Sequence, residues 1–219
     1  MLNQKLTALV ADILPAARIE ALQVSPLSSL QLYLLNADYP QGDLPQEAML
    51  KLMDEPFYWG FCWASGLVLA EYILERPALV AGKRVLDFGC GSGVVAIAAA
   101  MAGAAEVVAC DIDPVALLAT AENAKLNQVK LTLSDDFERV TGEVDLIIVA
   151  DVLYDKANYP WLSRFVDRAA GVLIADSRVK DFDFPPYTQI DRRQAWTMPD
   201  LDESAEFRDV RIYQATLTG

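Results

Sequence analysis

Apolar residues at helical spacing open the chain. They share one face of a helix: Leu2, Leu6, Leu9, Val10 and Ile13. The pattern stops at Pro15, so we predict an amphipathic helix that braces or covers the rest of the molecule. Residues 24–56 mix Pro, Ser, Asp and Gly around the apolar run 30–35, which predicts a loop-rich connector holding one strand or short helix.

From residue 66 onward, helical stripes alternate with short apolar runs. The first stripe ends before Pro77. Strands are predicted at 84–88, 106–111, 130–133, 144–152 and 171–175, and helices at 92–101, 114–126 and 159–170. This alternation favours a parallel sheet with right-handed crossovers. The run 146–150 is wholly apolar, as expected for a central strand covered on both faces.

Two β-rich runs, 188–196 and 207–217, close the chain without a clear helix between them. They predict an antiparallel hairpin at the edge of the sheet. We therefore expect an α/β fold with a seven-stranded, mainly parallel sheet, an antiparallel C-terminal edge hairpin and an N-terminal helical extension. The expected division is an extension over 1–56 and one domain over 57–219.

Composition narrows the range of partners. With 53% hydrophobic and 22% charged residues, the chain is typical of a globular protein. Its net charge of -13 disfavours a nucleic-acid partner, because binding to a phosphate backbone rests on Lys and Arg. A basic protein or a small molecule fits better. We expect no membrane association and a cytoplasmic location, since the sequence shows neither a signal-peptide pattern nor a long apolar run.

The spacing of the cysteines does not indicate a disulfide or a metal site. Cys62, Cys90 and Cys110 have no C-x-x-C spacing, and the chain has no histidine. We therefore expect no disulfide, no structural zinc and no other bound metal.

The turn after the first strand of the domain carries glycines at alternate positions, Gly89, Gly91 and Gly93. Val94 stands where a dinucleotide fingerprint requires its third glycine, so the spacing disfavours NAD. We predict S-adenosylmethionine instead, which has no phosphate. Glycines here let backbone N–H groups approach a ligand, and Asp87 would hold its ammonium directly or through water. A tight turn without a ligand is the alternative.

Acidic residues follow the next two strands. Asp111 ends the second strand, where a carboxylate can accept both hydroxyls of a ribose. Asp113 precedes Pro114, a pairing typical of a helix N-cap. Asp135 follows the third strand and could accept the exocyclic amine of adenine, or lie in a solvated turn.

A polar cluster ends the apolar fourth strand, at the edge where open α/β sheets bind ligands. It includes Asp151 and Tyr154, which we take as substrate-binding candidates. Alternatively, Asp151 could cap the helix that follows.

Residues 57–155 resemble the seven-strand, class I S-adenosylmethionine-dependent methyltransferases, which have a Rossmann-like fold. The resemblance is closer to the protein-lysine branch that modifies the β subunit of electron-transfer flavoprotein. It rests on the segments 57–66, 82–93, 110–114 and 151–155. The cofactor motifs are shared by many methyltransferases, including those acting on ribosomal protein L11, whereas Asp-x-x-Tyr and the upstream tryptophan segment are more specific.

The resemblance implies roles for individual residues. Trp63 would border the cofactor, Cys90 and Ile112 belong to its binding motifs, and Asp151 with Tyr154 would form the acceptor pocket. From the residues alone, Trp59 and Trp63 could equally be core aromatics. The chain departs from the family pattern at 64–66 (Ala-Ser-Gly for Pro-Gly-Gly) and at 176–178 (Asp-Ser-Arg for Asp-Pro-Gly-Arg). Both departures lie in substrate-side loops, which leaves the acceptor open.

The resemblance implies methyl transfer to the deprotonated amine of a lysine, on a protein such as the flavoprotein β subunit. Asp151 would align the amine. The alternatives are a small-molecule N-methyltransferase acting on a nicotinamide-like base or an amine, and a non-catalytic module that binds S-adenosylmethionine.

Overall fold

Helices and strands alternate through most of the structure. A computed structural model describes residues 1–11, 13–24, 26–27, 29–39, 57–153, 155–200 and 204–216. Within them the helices are α1 (Gln4–Val10), α2 (Ala64–Glu75), α3 (Val94–Met101), α4 (Pro114–Leu126) and α5 (Pro160–Arg168). The strands are β1 (Ile19–Gln23), β2 (Gln31–Leu35), β3 (Arg84–Phe88), β4 (Glu106–Cys110), β5 (Thr132–Ser134), β6 (Val144–Ala150), β7 (Ala169–Asp176), β8 (Thr188–Gln194) and β9 (Asp209–Thr216).

The main sheet has seven strands in the order β5-β4-β3-β6-β7-β9-β8. The strands from β3 to β7 are mutually parallel, whereas β9 runs antiparallel to both β7 and β8. This confirms the predicted mainly parallel sheet with a C-terminal edge hairpin. Because β3 to β7 are parallel, their carboxyl ends meet at one edge, which is where ligands bind in open α/β sheets.

Strand β6 lies at the centre, as its apolar sequence predicts. Leu146 and Ile148 face a core built with α2 and α3. Ile147 and Val149 face the opposite core, which contains Phe165 of α5. Side chains of a strand alternate between the two faces, so a strand covered on both faces needs an unbroken apolar run.

The N-terminal segment forms an antiparallel β1–β2 hairpin that packs with α1. Leu6 of α1 and Ile19 of β1 share a core with Ala116 and Ala119 of α4. The backbone N–H of Tyr33 also donates to the Asn123 side chain at 2.7 Å. The predicted helix therefore braces the domain through α4.

Several predicted boundaries differ from those observed. The fourth strand stops at Ala150 instead of 152, because Asp151 adopts a positive φ of 51° that ends the extended backbone. The helix predicted from 92 starts at Val94, since Gly93 has a φ of 79°. The third strand shifts from 130–133 to Thr132–Ser134.

In the connector predicted over 24–56, β2 fills the apolar run at 30–35, while residues 40–56 lie outside the described residues. Strand β1 was missed because only its first residue, Ile19, is fully buried. The division into 1–56 and 57–219 stays a prediction. No helix in the described part of the chain has the length and apolar character needed to cross a membrane.

If α1 braces the domain, shortening its buried face should destabilise the protein. Leu6 is fully buried, so Leu6→Ala should lower the free energy of unfolding by about 2–4 kcal/mol in urea denaturation. Leu2 is 46% exposed, and the matched variant Leu2→Ala should cost less than about 1 kcal/mol. Equal effects of the two substitutions would contradict this role of α1.

Candidate active site

A cavity of about 1080 Å³ opens at the carboxyl edge of the sheet. The ends of β3, β4 and β6 form its floor, the N-terminal segment and the 57–63 aromatic segment form one wall, and residues after β5 and β6 complete it. The predicted site residues that line it are Trp63, Gly89, Gly91, Asp111, Ile112, Asp135 and Asp151. The structure thus brings together residues from five separate stretches of sequence.

The glycine loop between β3 and α3 lies against this cavity. A Cβ atom at Gly93 would come within 2.9 Å of Thr120 in α4, so this glycine allows α3 and α4 to pack closely. Gly91 has a φ of 52° and no atom within 4 Å of where a Cβ would stand. The loop therefore leaves open space beside Gly91 for a ligand.

The N–H groups of these glycines are already hydrogen-bonded within the protein. Gly89 donates to the Cys110 carbonyl at 2.8 Å, Gly91 to Asp111 Oδ2 at 2.9 Å, and Gly93 to the Cys90 carbonyl at 2.7 Å. The approach of these N–H groups to a ligand stays a prediction. A phosphate would need such donors, so the loop suits a ligand that lacks a phosphate.

Asp87 lies behind the loop and does not line the cavity. Its Oδ2 atom accepts a hydrogen bond from the N–H of Ala96 at 2.9 Å, in the first turn of α3. Gly93, the N-cap residue of α3, has no side chain to fill this role. Burial raises the pKa of Asp87 to about 7, the Asp111 charge adds to this, and the Ala96 N–H opposes it. The contact of Asp87 with a ligand ammonium stays a prediction.

Cys90, also predicted at the cofactor site, is buried and outside the cavity lining. Its Sγ atom lies 3.4 Å from Thr120 Oγ1. The side chain thus packs the loop against α4.

Asp111 faces the cavity from the end of β4. Its Oδ2 accepts from Gly91 and its Oδ1 from the N–H of Asp113 at 3.0 Å, so the carboxylate also fixes the glycine loop. Burial raises its pKa.

The neighbouring Ile112 is 90% exposed and presents an apolar surface at the cavity. Asp113 accepts from the N–H of Val115 at 2.7 Å, which confirms it as the N-cap of α4.

Asp135 lines the cavity from the turn after β5. Its side chain is 64% exposed and pairs with Arg139 at 3.0 Å. The contact of Asp135 with adenine stays a prediction.

The aromatic segment serves both the core and the cavity. Trp59 is 3% exposed and its ring centre lies 4.5 Å from that of Phe57. Trp63 lines the cavity and its Nε1 donates to the Tyr58 carbonyl at 2.9 Å. Trp63 therefore faces the cavity, and its contact with the cofactor stays a prediction.

Two groups of cavity-lining residues were not predicted from the sequence. The first is an aromatic wall of Phe88, Phe137 and Trp161, in which the Phe88 and Trp161 ring centres are 4.7 Å apart. The second is the apolar group Leu9, Val10 and Ile13, which also lines the cavity. The apolar face predicted for α1 was the signal available for the latter.

Asp151 lines the cavity at the end of β6, but it does not cap the helix that follows. Its Oδ2 accepts from the N–H of Ser65 at 3.2 Å, in the first turn of α2, whose N-cap residue Trp63 makes no side-chain cap. Its Oδ1 accepts from the hydroxyls of Ser65 at 2.6 Å and Ser177 at 3.2 Å. Burial raises the pKa of Asp151 to about 6, while the Ser65 hydroxyl opposes the rise. Tyr154 lies outside the described residues.

Comparison with known proteins adds to this geometry. Residues 69–174 match the family model for ribosomal protein L11 methyltransferase (PrmA). The chain is 39% identical over 127 residues to the mouse electron transfer flavoprotein beta subunit lysine methyltransferase, covering 54% of this chain and 50% of the relative. It therefore spans about half the length of the curated relatives it matches.

Solved structures share the fold. A 16S rRNA N2 G1207 methyltransferase from Thermus thermophilus matches 91% of this chain and 50% of its own, with a TM-score of 0.59 at 18% identity. A magnesium protoporphyrin IX methyltransferase from Synechocystis matches 71% and 80%, with a TM-score of 0.54 at 19% identity. The chain therefore shares the fold of these methyltransferases. Several of its relatives in sequence are electron transfer flavoprotein beta subunit lysine methyltransferases.

The Synechocystis protein was solved with bound S-adenosylmethionine, and the residues that line the cavity of this chain fit the same ligand. The space beside Gly91 admits a ligand, Ile112 offers an apolar surface, and Asp111 offers carboxylate acceptors. This fit does not depend on N–H donors from the glycine loop.

If the cavity holds S-adenosylmethionine, removing the Asp111 carboxylate should weaken the binding of that cofactor. We expect Asp111→Ala to cost about 1–3 kcal/mol of binding free energy for S-adenosylhomocysteine, measured by calorimetry, through the loss of charged hydrogen bonds. Asp135→Ala removes an exposed, ion-paired carboxylate and should cost less. A larger loss from Asp135→Ala would contradict the assignment of Asp111.

The buried Asp87 should make stability depend on pH. An aspartate whose pKa rises on folding, from its ordinary 3.8 to about 7, stabilises the folded state at low pH and loses that contribution as pH rises through about 7. The contribution of Asp87 to the thermal midpoint without ligand should therefore fall between about pH 4 and pH 7 and level off above that, and Asp87→Asn should reduce this fall. The exposed Asp167→Asn serves as the control, and an undiminished fall in Asp87→Asn would refute the argument.

Proposed function

We propose that this protein is a methyltransferase, which transfers a methyl group from S-adenosylmethionine to the side-chain amine of a lysine in a protein. The observation that carries the proposal is that Asp151 lines the same cavity as Gly89 and Gly91. A cofactor held at the glycine loop and an amine held at Asp151 would share one enclosed space.

The cavity offers the two kinds of surface that an amine needs. The Asp151 carboxylate is a hydrogen-bond acceptor for N–H groups. The rings of Phe88 and Trp161 line the cavity as well, and aromatic faces attract ammonium groups, including methylated ones. An amine can therefore be both hydrogen-bonded and packed against an apolar surface.

The chemistry requires a neutral nucleophile. When bound, the cofactor supplies an electrophilic methyl group on its sulfonium. A lysine has an ordinary pKa of about 10.4, so its ammonium must first lose a proton. Asp151 accepts an N–H of the amine and orients its lone pair, which lowers the barrier mainly through positioning. No histidine is present in the chain to act as a general base, so we assign the proton's departure to solvent in the cavity.

A protein acceptor is supported by the names of the relatives. Several are electron transfer flavoprotein beta subunit lysine methyltransferases, at 36–44% identity in the mouse, zebrafish, frog and human proteins. The net charge of -13 also favours a basic acceptor segment. We therefore propose a lysine of a flavoprotein β-subunit-like protein as the first acceptor to examine.

Asp151→Asn separates binding from transfer. Asparagine keeps the size of the side chain and tolerates the positive φ of this position, but it lacks the charge. We expect nearly unchanged affinity for S-adenosylhomocysteine and a loss of transfer of at least about 100-fold. The assay follows radiolabelled methyl groups into lysate fractions above and below a dialysis cutoff.

The matched control is Asp167→Asn, which lies on the outside of α5 and should transfer like wild type. Label confined to small molecules would exclude the protein-lysine proposal. Equal transfer by wild type and Asp151→Asn would remove Asp151 from the mechanism.

A further inference from the structure

Ser65 and Ser177 meet at a single carboxylate oxygen. Their hydroxyls donate to Asp151 Oδ1 at 2.6 Å and 3.2 Å. Ser65 is fully buried and Ser177 is 2% exposed. Ser65 lies in the first turn of α2 and Ser177 directly follows β7, so the two side chains reach Asp151 from two different elements.

The hydrogen-bond donors around Asp151 occupy most of the acceptor positions of its carboxylate. An ionised carboxylate has about four acceptor positions. The two hydroxyls occupy Oδ1, and the N–H of Ser65 occupies one position on Oδ2 at 3.2 Å. Counting the donors among the described residues, one position on Oδ2 is left for a ligand in the cavity that Asp151 lines.

The backbone of Asp151 adds to this constraint. Its φ of 51° is unusual for a residue other than glycine, and such conformations persist where surrounding contacts determine them. The N–H of Asp151 donates to the Ala175 carbonyl at 3.1 Å, so β7 holds the backbone while the serines hold the carboxylate.

We propose that Ser65 and Ser177 are positioning residues for methyl transfer, which fix the Asp151 carboxylate so that one acceptor position on Oδ2 faces the substrate amine. This inference rests on the proposed function, and it assigns roles to two side chains that do not contact the reacting atoms.

Three charged or titratable residues lie near enough to Asp151 to interact with its charge. Asp176 ends β7 and its charge raises the pKa of Asp151, while Arg178 lowers it. Cys62, just before α2, is buried near enough that the Asp151 charge contributes to its raised pKa. Against burial and Asp176, the Ser65 hydroxyl lowers the pKa of Asp151. Removing that hydroxyl should therefore make the ionised carboxylate less favourable.

The test compares Ser65→Ala and Ser177→Ala with wild type in full-length protein. Both variants keep the N–H of residue 65, so the cap of α2 survives. Carboxyl resonances of ¹³C-labelled aspartate, with Asp151 assigned through Asp151→Asn, report its titration directly. We expect the pKa of Asp151 to rise in both variants, by about one pH unit in Ser65→Ala, because hydrogen bonds to charged groups are strong.

Methyl transfer should be slower in the variants in which the pKa of Asp151 has risen. We expect kcat to drop about tenfold in Ser65→Ala, with unchanged affinity for S-adenosylhomocysteine, which also shows that the fold is intact. Ser163→Ala, an exposed serine of α5, is the control and should match wild type in both measurements. An unchanged titration of Asp151 in both variants, or unchanged kcat, would overturn the role of the serines. If wild type methylates no protein, the proposed function fails, while the titration still decides whether the serines hold Asp151.

Discussion

The fold depends on the carboxylates of Asp87 and Asp151, at the ends of two parallel strands, each of which accepts a backbone N–H of a helix. A buried aspartate is costly unless it is hydrogen-bonded, and the first turn of a helix has N–H groups that lack partners. Asp87 at β3 meets the first turn of α3, and Asp151 at β6 meets the first turn of α2. Because Gly93 and Trp63 cannot cap these helices themselves, the strand ends supply what the helices lack.

This arrangement fixes the position of the cavity. Asp111 ties the glycine loop to β4, and Asp113 starts α4 directly behind it. The loop N–H groups are used internally, so the ligand site is defined by open space, apolar surface and carboxylate acceptors. That combination suits an adenosyl sulfonium better than a dinucleotide.

Much of this architecture was predictable because it is local. The apolar run of β6, the N-cap at Asp113 and the alternation from residue 66 all depend on short patterns. What the sequence could not show depends on distant contacts. The left-handed backbone of Asp151 ended β6 early, and its carboxylate capped α2, which lies far earlier in the sequence, instead of the helix that follows. Likewise, no local pattern brings Leu9 and Trp161 to the walls of one cavity.

A crystal structure with S-adenosylhomocysteine would test the central claim most directly. The account predicts the adenosyl group in the cavity beside Gly91, with Asp111 at its ribose and the sulfur directed toward Asp151. Electron density for the ligand at any other surface, with this cavity empty, would contradict it.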